Sequence, residues 1–94
     1  MERILDLEID GRKIHLSDKQ WKHIINFHPN VENPEKIKEV LLNPLIIKKD
    51  NFDSSLNYYY KYDKTKNMHL MVSVKYLNGD GFVITSFYIK KIRK

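Results

Sequence analysis

The segment Asn78-Gly79-Asp80-Gly81 constrains the fold of this chain more than any other feature of its sequence. Asn-Gly and Asp-Gly pairs readily adopt the positive φ angles of a tight hairpin turn. On both sides of the segment, residues 68–77 and 81–92 alternate between apolar and polar side chains, which is the period of a half-buried strand. The sequence therefore predicts a long antiparallel hairpin near the C-terminal end, and with it an antiparallel sheet.

The turn of this hairpin leaves two registers open. If Asn78 and Gly81 close the loop, Lys75 lies opposite Ile84 and Ser73 lies opposite Ser86. A bulge at the glycines would instead bring Thr85 beside Lys75, so both hydroxyl groups stay candidates. In the first register, alternation places Leu70, Val72, Val74, Tyr76, Val83, Thr85, Phe87 and Ile89 on the face that helices cover, and Met71, Ser73, Lys75, Ser86 and Tyr88 on the other face.

The N-terminal part of the chain carries signals for a second hairpin and a helix. Apolar residues alternate on both sides of Asp10-Gly11, a pair that favours a two-residue turn. Ser17 follows as a predicted N-cap, and Gln20 stands three residues later, where it would complete a capping box. Apolar side chains at helical spacing then predict a helix from Asp18 to Phe27 or His28.

Two Asn-Pro pairs delimit a second helix. Asn33-Pro34 offers an N-cap and a first-turn proline, and Asn43-Pro44 ends the helical pattern. Beyond this point the segments 45–47, 56–62, 68–77 and 81–92 have the pattern of strands. The sequence thus predicts one α+β domain over residues 1–94, in which an N-terminal β-hairpin precedes two α-helices packed on a four-stranded antiparallel sheet.

Composition limits the classes of function. Seventeen basic and twelve acidic residues give a net charge of +5, the sign expected of a protein that binds a polyanion, although surface lysines that only aid solubility would give the same charge. Cysteine is absent, which removes disulfides, thiolate metal sites and cysteine nucleophiles together. No apolar run approaches the roughly 20 residues of a membrane helix or forms a signal peptide. We therefore expect an intracellular, cytoplasmic protein without membrane contact.

The histidines predict no metal site. His23 and His28 are five residues apart, about 140° around a helix, whereas two ligands on one helix normally stand three or four residues apart. His15 and His69 could approach each other through the fold, but no third ligand is marked. The sequence also has no Gly-rich phosphate loop and no Ser-His-Asp constellation. We therefore predict that the chain needs no metal and no cofactor.

Five short motifs follow one another along most of the chain, from about Leu16 to Ile89. They are His23-Ile24 through His28-Pro29, Asn43-Pro44, Tyr58-Tyr59-Tyr60-Lys61, Ser73-Val74-Lys75 and Val83-Ile84-Thr85-Ser86-Phe87-Tyr88. Their order resembles small nucleases of the barnase, EndoU, colicin and RelE-like (BECR) group, and is most similar to its phage and mobile-element branch. Relatives often end the last motif with Thr-Ala-Tyr, from which Thr85-Ser86-Phe87-Tyr88 departs, and no arginine stands between Arg12 and Arg93.

The resemblance implies a metal-independent endoribonuclease of the toxin type, in which a 2′-hydroxyl group of RNA attacks the adjacent phosphate. Such a reaction needs a proton acceptor, a proton donor and a cation beside the transition state. It also implies RNA as the substrate, with a cognate antitoxin or immunity protein as a second partner. The predicted catalytic residues are His28, His23, Lys75, Thr85 and Ser86, and the predicted RNA contacts are Tyr59, Lys61, Tyr88, Lys90 and Lys91.

Each candidate also has a purely structural interpretation. His28, predicted at the end of the first helix where the helix dipole favours a positive charge, could simply cap that helix. His23 could be a solvated helix residue, and Thr85 a strand former. On the tyrosine strand either Tyr59 with Lys61 or the opposite set would face RNA. Two other functions stay open as well: a non-catalytic nucleic-acid binder on the same fold, and a protein-interaction module.

Overall fold

The computed structural model describes residues 3–92, which form six strands, two α-helices and one 3₁₀ turn. In chain order these elements are β1 (Arg3–Ile9), β2 (Arg12–Ser17), α1 (Asp18–Phe27), the 3₁₀ turn (Pro29–Val31), α2 (Pro34–Leu42), β3 (Ile46–Lys49), β4 (Leu56–Asp63), β5 (Met68–Leu77) and β6 (Asp80–Ile89). None of the described helices is long and apolar enough to cross a membrane.

Both predicted hairpins form, because their turns contain residues that tolerate a positive φ. Asp10 and Gly11 have φ angles of 52° and 78°, and Asn78 and Gly79 have φ angles of 53° and 88°. Two consecutive positive φ angles define a type I′ turn, whose twist matches that of the flanking strands. Asn78 and Gly79 are therefore the two residues of the second turn.

The bounds of both helices agree with the sequence prediction, but their caps differ in part. The Ser17 hydroxyl oxygen accepts a hydrogen bond of 3.1 Å from the Gln20 backbone N–H, as an N-cap should. The Gln20 side chain does not complete the capping box, because its amide donates to the carbonyl oxygen of Ile84 on β6. At the start of α2, Asn33 makes no side-chain capping bond.

The predicted four-stranded antiparallel sheet was wrong. The structure has one six-stranded mixed sheet in the order β1-β2-β6-β5-β4-β3. The N-terminal hairpin belongs to this sheet, because β2 pairs in parallel with β6 through Ile14 with Gly81 and His15 with Phe82. A Cβ atom on Gly81 would lie 2.8 Å from a methyl carbon of Val74, so glycine permits this close packing.

The predicted registers of the β5–β6 hairpin were also wrong. Leu77 pairs with Asp80 across the turn, and Lys75 lies opposite Phe82 rather than Ile84 or Thr85. The register then shifts between Ser73 and Val74, and Ile84 is the extra residue of a β-bulge on β6. The Ser73 hydroxyl bonds to the backbone of Thr85 beside this bulge, where it accepts from the N–H at 3.2 Å.

The bulge reverses the predicted faces of the last part of β6. Ser86 and Tyr88 lie opposite Val72 and Leu70, on the face that the helices cover. Thr85, which was predicted on that face, lies opposite Ser73 on the other one. The core lies between the sheet and the helices, and its buried side chains are Ile14, Leu16, Ile24, Val31, Ile37, Val40, Leu41, Tyr59, Leu70, Val72, Val74 and Val83.

Candidate nucleic-acid interface

The sheet face opposite the helices is lined by aromatic and small polar side chains. Three tyrosines of β4 lie across from alternate residues of β5, and these lie across from alternate residues of β6. Ser73 is only 3% exposed because larger side chains surround it. We call this surface the open face, and it consists of Tyr58, Tyr60 and Tyr62 on β4, His69, Met71, Ser73 and Lys75 on β5, and Phe82, Thr85, Phe87 and Ile89 on β6.

The open face presents aromatic rings to a ligand. Tyr62 and Phe82 are 42% and 38% exposed, so both rings offer contact area to a ligand. Burial raises the pKa of Tyr60 above its ordinary value, so its phenol, which is already protonated at neutral pH, stays protonated in more basic solution as well. Aromatic rings stack on unpaired bases whatever the base, and protonated tyrosines add hydrogen-bond donors without negative charge.

His28, at the C-terminal end of α1, lies at the border of the open face. Beyond its short pairing with β2, β6 is flanked by α1, and the Gln20 amide bonds to Ile84 on this edge. His28 is the C-terminal cap of α1, and its backbone N–H donates to the Ile24 carbonyl at 2.7 Å. Its half-buried ring lies 5.2 Å from that of Phe87, measured between centroids. His28 is therefore both a cap and a neighbour of the candidate interface.

Lys75 lies on the open face, where its ammonium group pairs with the carboxylate of Asp53 in the β3–β4 loop. The bond from Lys75 is the main reason why the pKa of Asp53 falls to about 2. The same loop is attached to the face by Tyr58, whose hydroxyl donates to Asp50 at 2.6 Å. That bond raises the pKa of Tyr58 to about 12 and lowers the pKa of Asp50.

His28 and Lys75 border the same face but stand near its two ends. Phe87, the ring that His28 contacts, lies opposite Met71, and Met71 is four residues from Lys75 along β5. At about 3.3 Å per residue, this separation is roughly 13 Å. The two predicted residues are thus brought to one surface without contact between them.

The two hydroxyl candidates are separated by the sheet. Thr85 is half-buried on the open face, two residues from Phe87 and opposite Ser73. Ser86 is fully buried on the helix side, where its hydroxyl donates to the Met71 carbonyl at 2.7 Å. Of the two, only Thr85 stands where a ligand on the open face could meet it, and Ser86 is removed from the candidate site.

Three of the predicted RNA contacts are on the opposite side of the sheet. Tyr59 is 5% exposed in the core and its hydroxyl group bonds to that of Tyr76. The Tyr88 hydroxyl donates to Asp63 at 2.7 Å, and the Lys61 ammonium donates to the Asn43 carbonyl at 3.3 Å. Alternation along β4 instead places Tyr58, Tyr60 and Tyr62 on the open face.

The remaining predicted residues lie at the margins. His23 is exposed on α1, where its ring packs on that of Phe27 at 4.9 Å between centroids. This ring contact stays within α1, so His23 fits the solvated helix residue of the alternative interpretation. Lys90 and Lys91 directly follow β6 and are exposed, so they extend past the end of the strand that carries Thr85 and Phe87.

One histidine on the open face was not among the predicted site residues. His69 is half-buried next to Met71 on β5, and its ring meets that of Tyr62 edge-on at 5.2 Å. Its Nδ1 atom is buried and has no hydrogen-bond partner among the described residues. His69 lies diagonally across from Phe87, a spacing of about 7–8 Å in a sheet, so it and His28 flank the same ring. His69 and Lys75 are both odd-numbered residues of β5, so alternation places them on the same face. This parity could have identified His69 from the sequence.

The fourth histidine, His15, is paired with two carboxylates. His15 is 5% exposed, and its two ring nitrogens lie 2.5 Å from an oxygen of Asp6 and 3.0 Å from an oxygen of Asp80. Its ring also contacts Phe82 at 5.3 Å, so it joins the N-terminal hairpin to the β5–β6 turn. In the described part of the chain, no group of three or more His, Asp or Glu side chains is arranged to hold a metal ion.

Comparisons with known proteins do not identify a family for this chain. No protein-family model matches the chain, and neither the curated proteins nor the solved structures contain a significant match to it.

Proposed function

We propose that this protein is a metal-independent endoribonuclease that binds single-stranded RNA across the open face of its sheet. The observation that carries the proposal is the open face itself, on which Tyr58 and Tyr60 lie across from Ser73 and Met71 on one side and Phe87 lies across from Met71 on the other, while His28 borders one end. Stacking platforms beside titratable groups are what cleavage of unpaired RNA requires. The net charge of +5 agrees with a polyanionic substrate.

The proposed chemistry places the reacting phosphate beside Phe87, between His28 and His69. One imidazole takes the proton of the 2′-hydroxyl group, and the oxygen attacks the adjacent phosphorus. The bond to the 5′-oxygen breaks, and the other imidazole donates a proton to that oxygen. The products are a 2′,3′-cyclic phosphate and a free 5′-hydroxyl group, and no oxidation state changes. The two imidazoles carry both proton transfers, so the proposed step uses no metal.

Lys75 and Thr85 have supporting roles in this proposal. Thr85 lies between Phe87 and the level of Lys75 on the same face, where its hydroxyl can orient a phosphate oxygen. Lys75 exchanges Asp53 for a phosphate of the bound RNA. A partly exposed ion pair of this kind contributes only about 0–1 kcal/mol, so a polyanion can compete for the ammonium group.

The resemblance noted in the sequence adds the proposed biological setting. A toxin-type ribonuclease acts on cellular RNA in the cytoplasm, and it needs a cognate antitoxin or immunity protein that restrains it.

A second candidate function is supported by the positions of His28 and Lys75. Along β5, Lys75 is roughly 13 Å from Met71, which lies opposite the Phe87 ring that His28 contacts. The Lys75 ammonium group is already paired with the carboxylate of Asp53. This arrangement favours a module that binds RNA on the open face without cleaving it. The two functions share the surface and differ in whether the histidines transfer protons.

Cleavage in EDTA tests the first proposal. The purified protein is incubated with a mixed-sequence single-stranded RNA, beside the variants His28→Ala and His69→Gln and the matched control His23→Ala on the solvent side of α1. We expect EDTA-resistant cleavage, at least 100-fold slower in the first two variants and unchanged in the control, in line with the usual contribution of a general acid or base. Products that carry a cyclic phosphate would identify the 2′-hydroxyl as the nucleophile.

Two results would contradict this proposal. If the wild-type protein leaves RNA of varied sequence and structure intact but shifts it in a gel, the non-catalytic binder is correct. If cleavage survives both histidine substitutions, the site lies elsewhere on the molecule. Circular dichroism of each variant confirms that the fold is kept.

A further inference from the structure

The outer edge of β3 offers unpaired backbone groups. In the part of the chain that the structure describes, β3 pairs with β4 alone and ends the sheet. The Asp50 N–H donates to the Leu56 carbonyl, so residues that alternate with Asp50, such as Ile46, turn their N–H and C=O groups toward β4. Ile47 and Lys49 therefore direct theirs outward. An edge of this kind is a template for an added strand.

Exposed apolar side chains lie along this edge beside the lysines of β3. Leu42, Leu45 and Ile47 are 54%, 62% and 53% exposed, and they come from the end of α2, the α2–β3 connection and β3 itself. Exposed apolar residues that occur singly are normal, but a group of them beside a free strand edge is typical of an interaction surface.

Two concavities flank the edge. The larger, of about 420 Å³, lies on the helix side of β3 beside Ile47 and Leu42, and Tyr76 lines its wall. The smaller, of about 340 Å³, is lined by Leu45, Pro44 and Tyr62 at the start of β3. A strand laid along β3 would place alternate side chains on the two sides of the sheet, within reach of these concavities.

Basic side chains surround the same edge. Arg12 lines the larger concavity with its guanidinium 4.9 Å from the centre of the Tyr76 ring, and Asp10 is the one carboxylate among the residues that line it. Lys61 and Lys64 line the smaller concavity. Lys49 is exposed on the edge itself. Basic side chains thus outnumber Asp10 and Asp50 beside β3, and this excess attracts an acidic segment and repels a second copy of this chain.

We propose that β3 binds an extended, acidic segment of a partner protein by strand addition, with apolar side chains of that segment in the concavity beside Ile47. Backbone hydrogen bonds to Ile47 and Lys49 would contribute affinity for any extended segment. The apolar and basic side chains beside β3 would determine which segment sequences bind best. The proposal goes beyond ribonuclease activity and does not depend on it, because the backbone groups that would bind the segment belong to Ile47 and Lys49 and neither histidine takes part.

Backbone NMR with a defined probe tests this inference. The ¹⁵N-labelled full chain is titrated with a seven-residue peptide of alternating glutamate and valine, blocked at both ends, and with the same peptide carrying lysine in place of glutamate. We expect the acidic peptide to shift the amide signals of Ile47 and Lys49 and to slow their hydrogen exchange. The lysine peptide should bind at least tenfold more weakly.

A charge introduced on the edge provides the matched variants. Ile47→Glu should weaken the acidic peptide at least tenfold, whereas Leu77→Glu, at a position of similar exposure at the end of β5, should leave its binding unchanged. Both substituted positions are more than half exposed, so we expect both variants to fold.

Three outcomes would overturn the proposal. The first is the absence of any shift on β3 with the acidic peptide up to about 1 mM. The second is a shift of the same amides by a single-stranded oligouridylate and not by the peptide, which would make the edge a nucleic-acid site. The third is a concentration-dependent doubling of the mass by light scattering that Ile47→Glu abolishes, which would make the occupant a second copy.

Discussion

At the scale of single residues, the Asp63 carboxylate is held by several hydrogen bonds. Its oxygens accept hydrogen bonds of 2.6 Å from the Thr65 hydroxyl and 2.7 Å from that of Tyr88, and Lys36 lies 3.6 Å away. The bond from Thr65, followed by that from Tyr88, lowers the pKa of Asp63 to about 2. The side chain is 14% exposed, so this network joins the start of the β4–β5 turn to β6 and α2.

The lowered pKa of Asp63 predicts a specific acid sensitivity. A carboxylate whose pKa is lower in the folded state stabilises the protein above its unfolded pKa of 3.8, and this contribution disappears as the pH falls through about 2. Asp63→Asn should therefore lower the free energy of unfolding by about 1–2 kcal/mol at pH 7, and by almost nothing at pH 2.

Urea titrations from pH 7 to pH 2 measure this difference. Glu8→Gln, an exposed carboxylate on β1, is the control and should have little effect at any pH. A loss of stability that is the same at pH 7 and pH 2 would show that packing rather than charge accounts for the role of Asp63.

At the scale of elements, the parallel contact between β2 and β6 depends on one glycine. A Cβ atom on Gly81 would stand 2.8 Å from Val74, 2.9 Å from Tyr76 and 3.2 Å from Ile14. Val74 and Tyr76 belong to the neighbouring strand β5 and Ile14 to β2, so the glycine lies where the hairpin and the rest of the sheet meet. Only glycine avoids these contacts.

Gly81→Ala should therefore loosen the N-terminal hairpin before the rest of the sheet. Overpacking of a well-packed site typically costs about 1–3 kcal/mol, and we expect a loss of that size in urea unfolding. Hydrogen exchange should increase most at Ile14 and His15, the β2 residues that pair with β6.

The matched control for this variant is Ser54→Ala, an exposed position in the β3–β4 loop, which should change the stability by no more than about 0.5 kcal/mol. Uniform acceleration of exchange over all strands in Gly81→Ala, with no preference for β2, would contradict the idea that this glycine acts on one contact.

At the scale of the whole molecule, the fold pairs a basic side chain of the open face with an acidic loop. The chain carries a net charge of +5, yet the end of the face near Lys75 is held by Asp53 and Asp50 of one loop. The predicted RNA surface is thus not uniformly basic. We expect its affinity for a polyanion to depend on whether Lys75 remains with Asp53 or turns to a phosphate.

Asp53→Asn separates these two states. Without the carboxylate, Lys75 is available to RNA from the start, so we expect single-stranded RNA to bind several-fold more tightly. The dependence of log K on log salt should become steeper by about 0.7, which corresponds to one additional phosphate contact on a single strand. Fluorescence anisotropy at several salt concentrations measures both quantities.

Lys75→Ala is the complementary variant, and it should weaken binding and reduce the salt slope. Lys22→Ala, a largely exposed lysine on α1, serves as the control for loss of one surface charge. Equal affinity and equal slope in Asp53→Asn and the wild-type protein would exclude Lys75 from the RNA surface.

The sequence by itself determined the local structure of this protein. The two Gly-containing turns, the N-cap at Ser17, the prolines at positions 34 and 44 and the bounds of both helices were predictable, because each depends on φ preferences or on bonds within about four residues. The position of His28 at the end of α1 was predictable for the same reason. Alternation along β5 likewise predicted that Lys75 lies on the face of the sheet opposite the helices.

The tertiary structure alone decided the remaining features. The parallel pairing of β2 with β6 joins residues about 67 positions apart, and no local pattern marks it. The bulge at Ile84 sent Thr85 to the open face and Ser86 into the core, because a shift of one residue reverses every later side chain. The same alternation buried Tyr59 and exposed Tyr62. These choices rest on packing between distant segments, so they determine which residues of the motifs a ligand can meet.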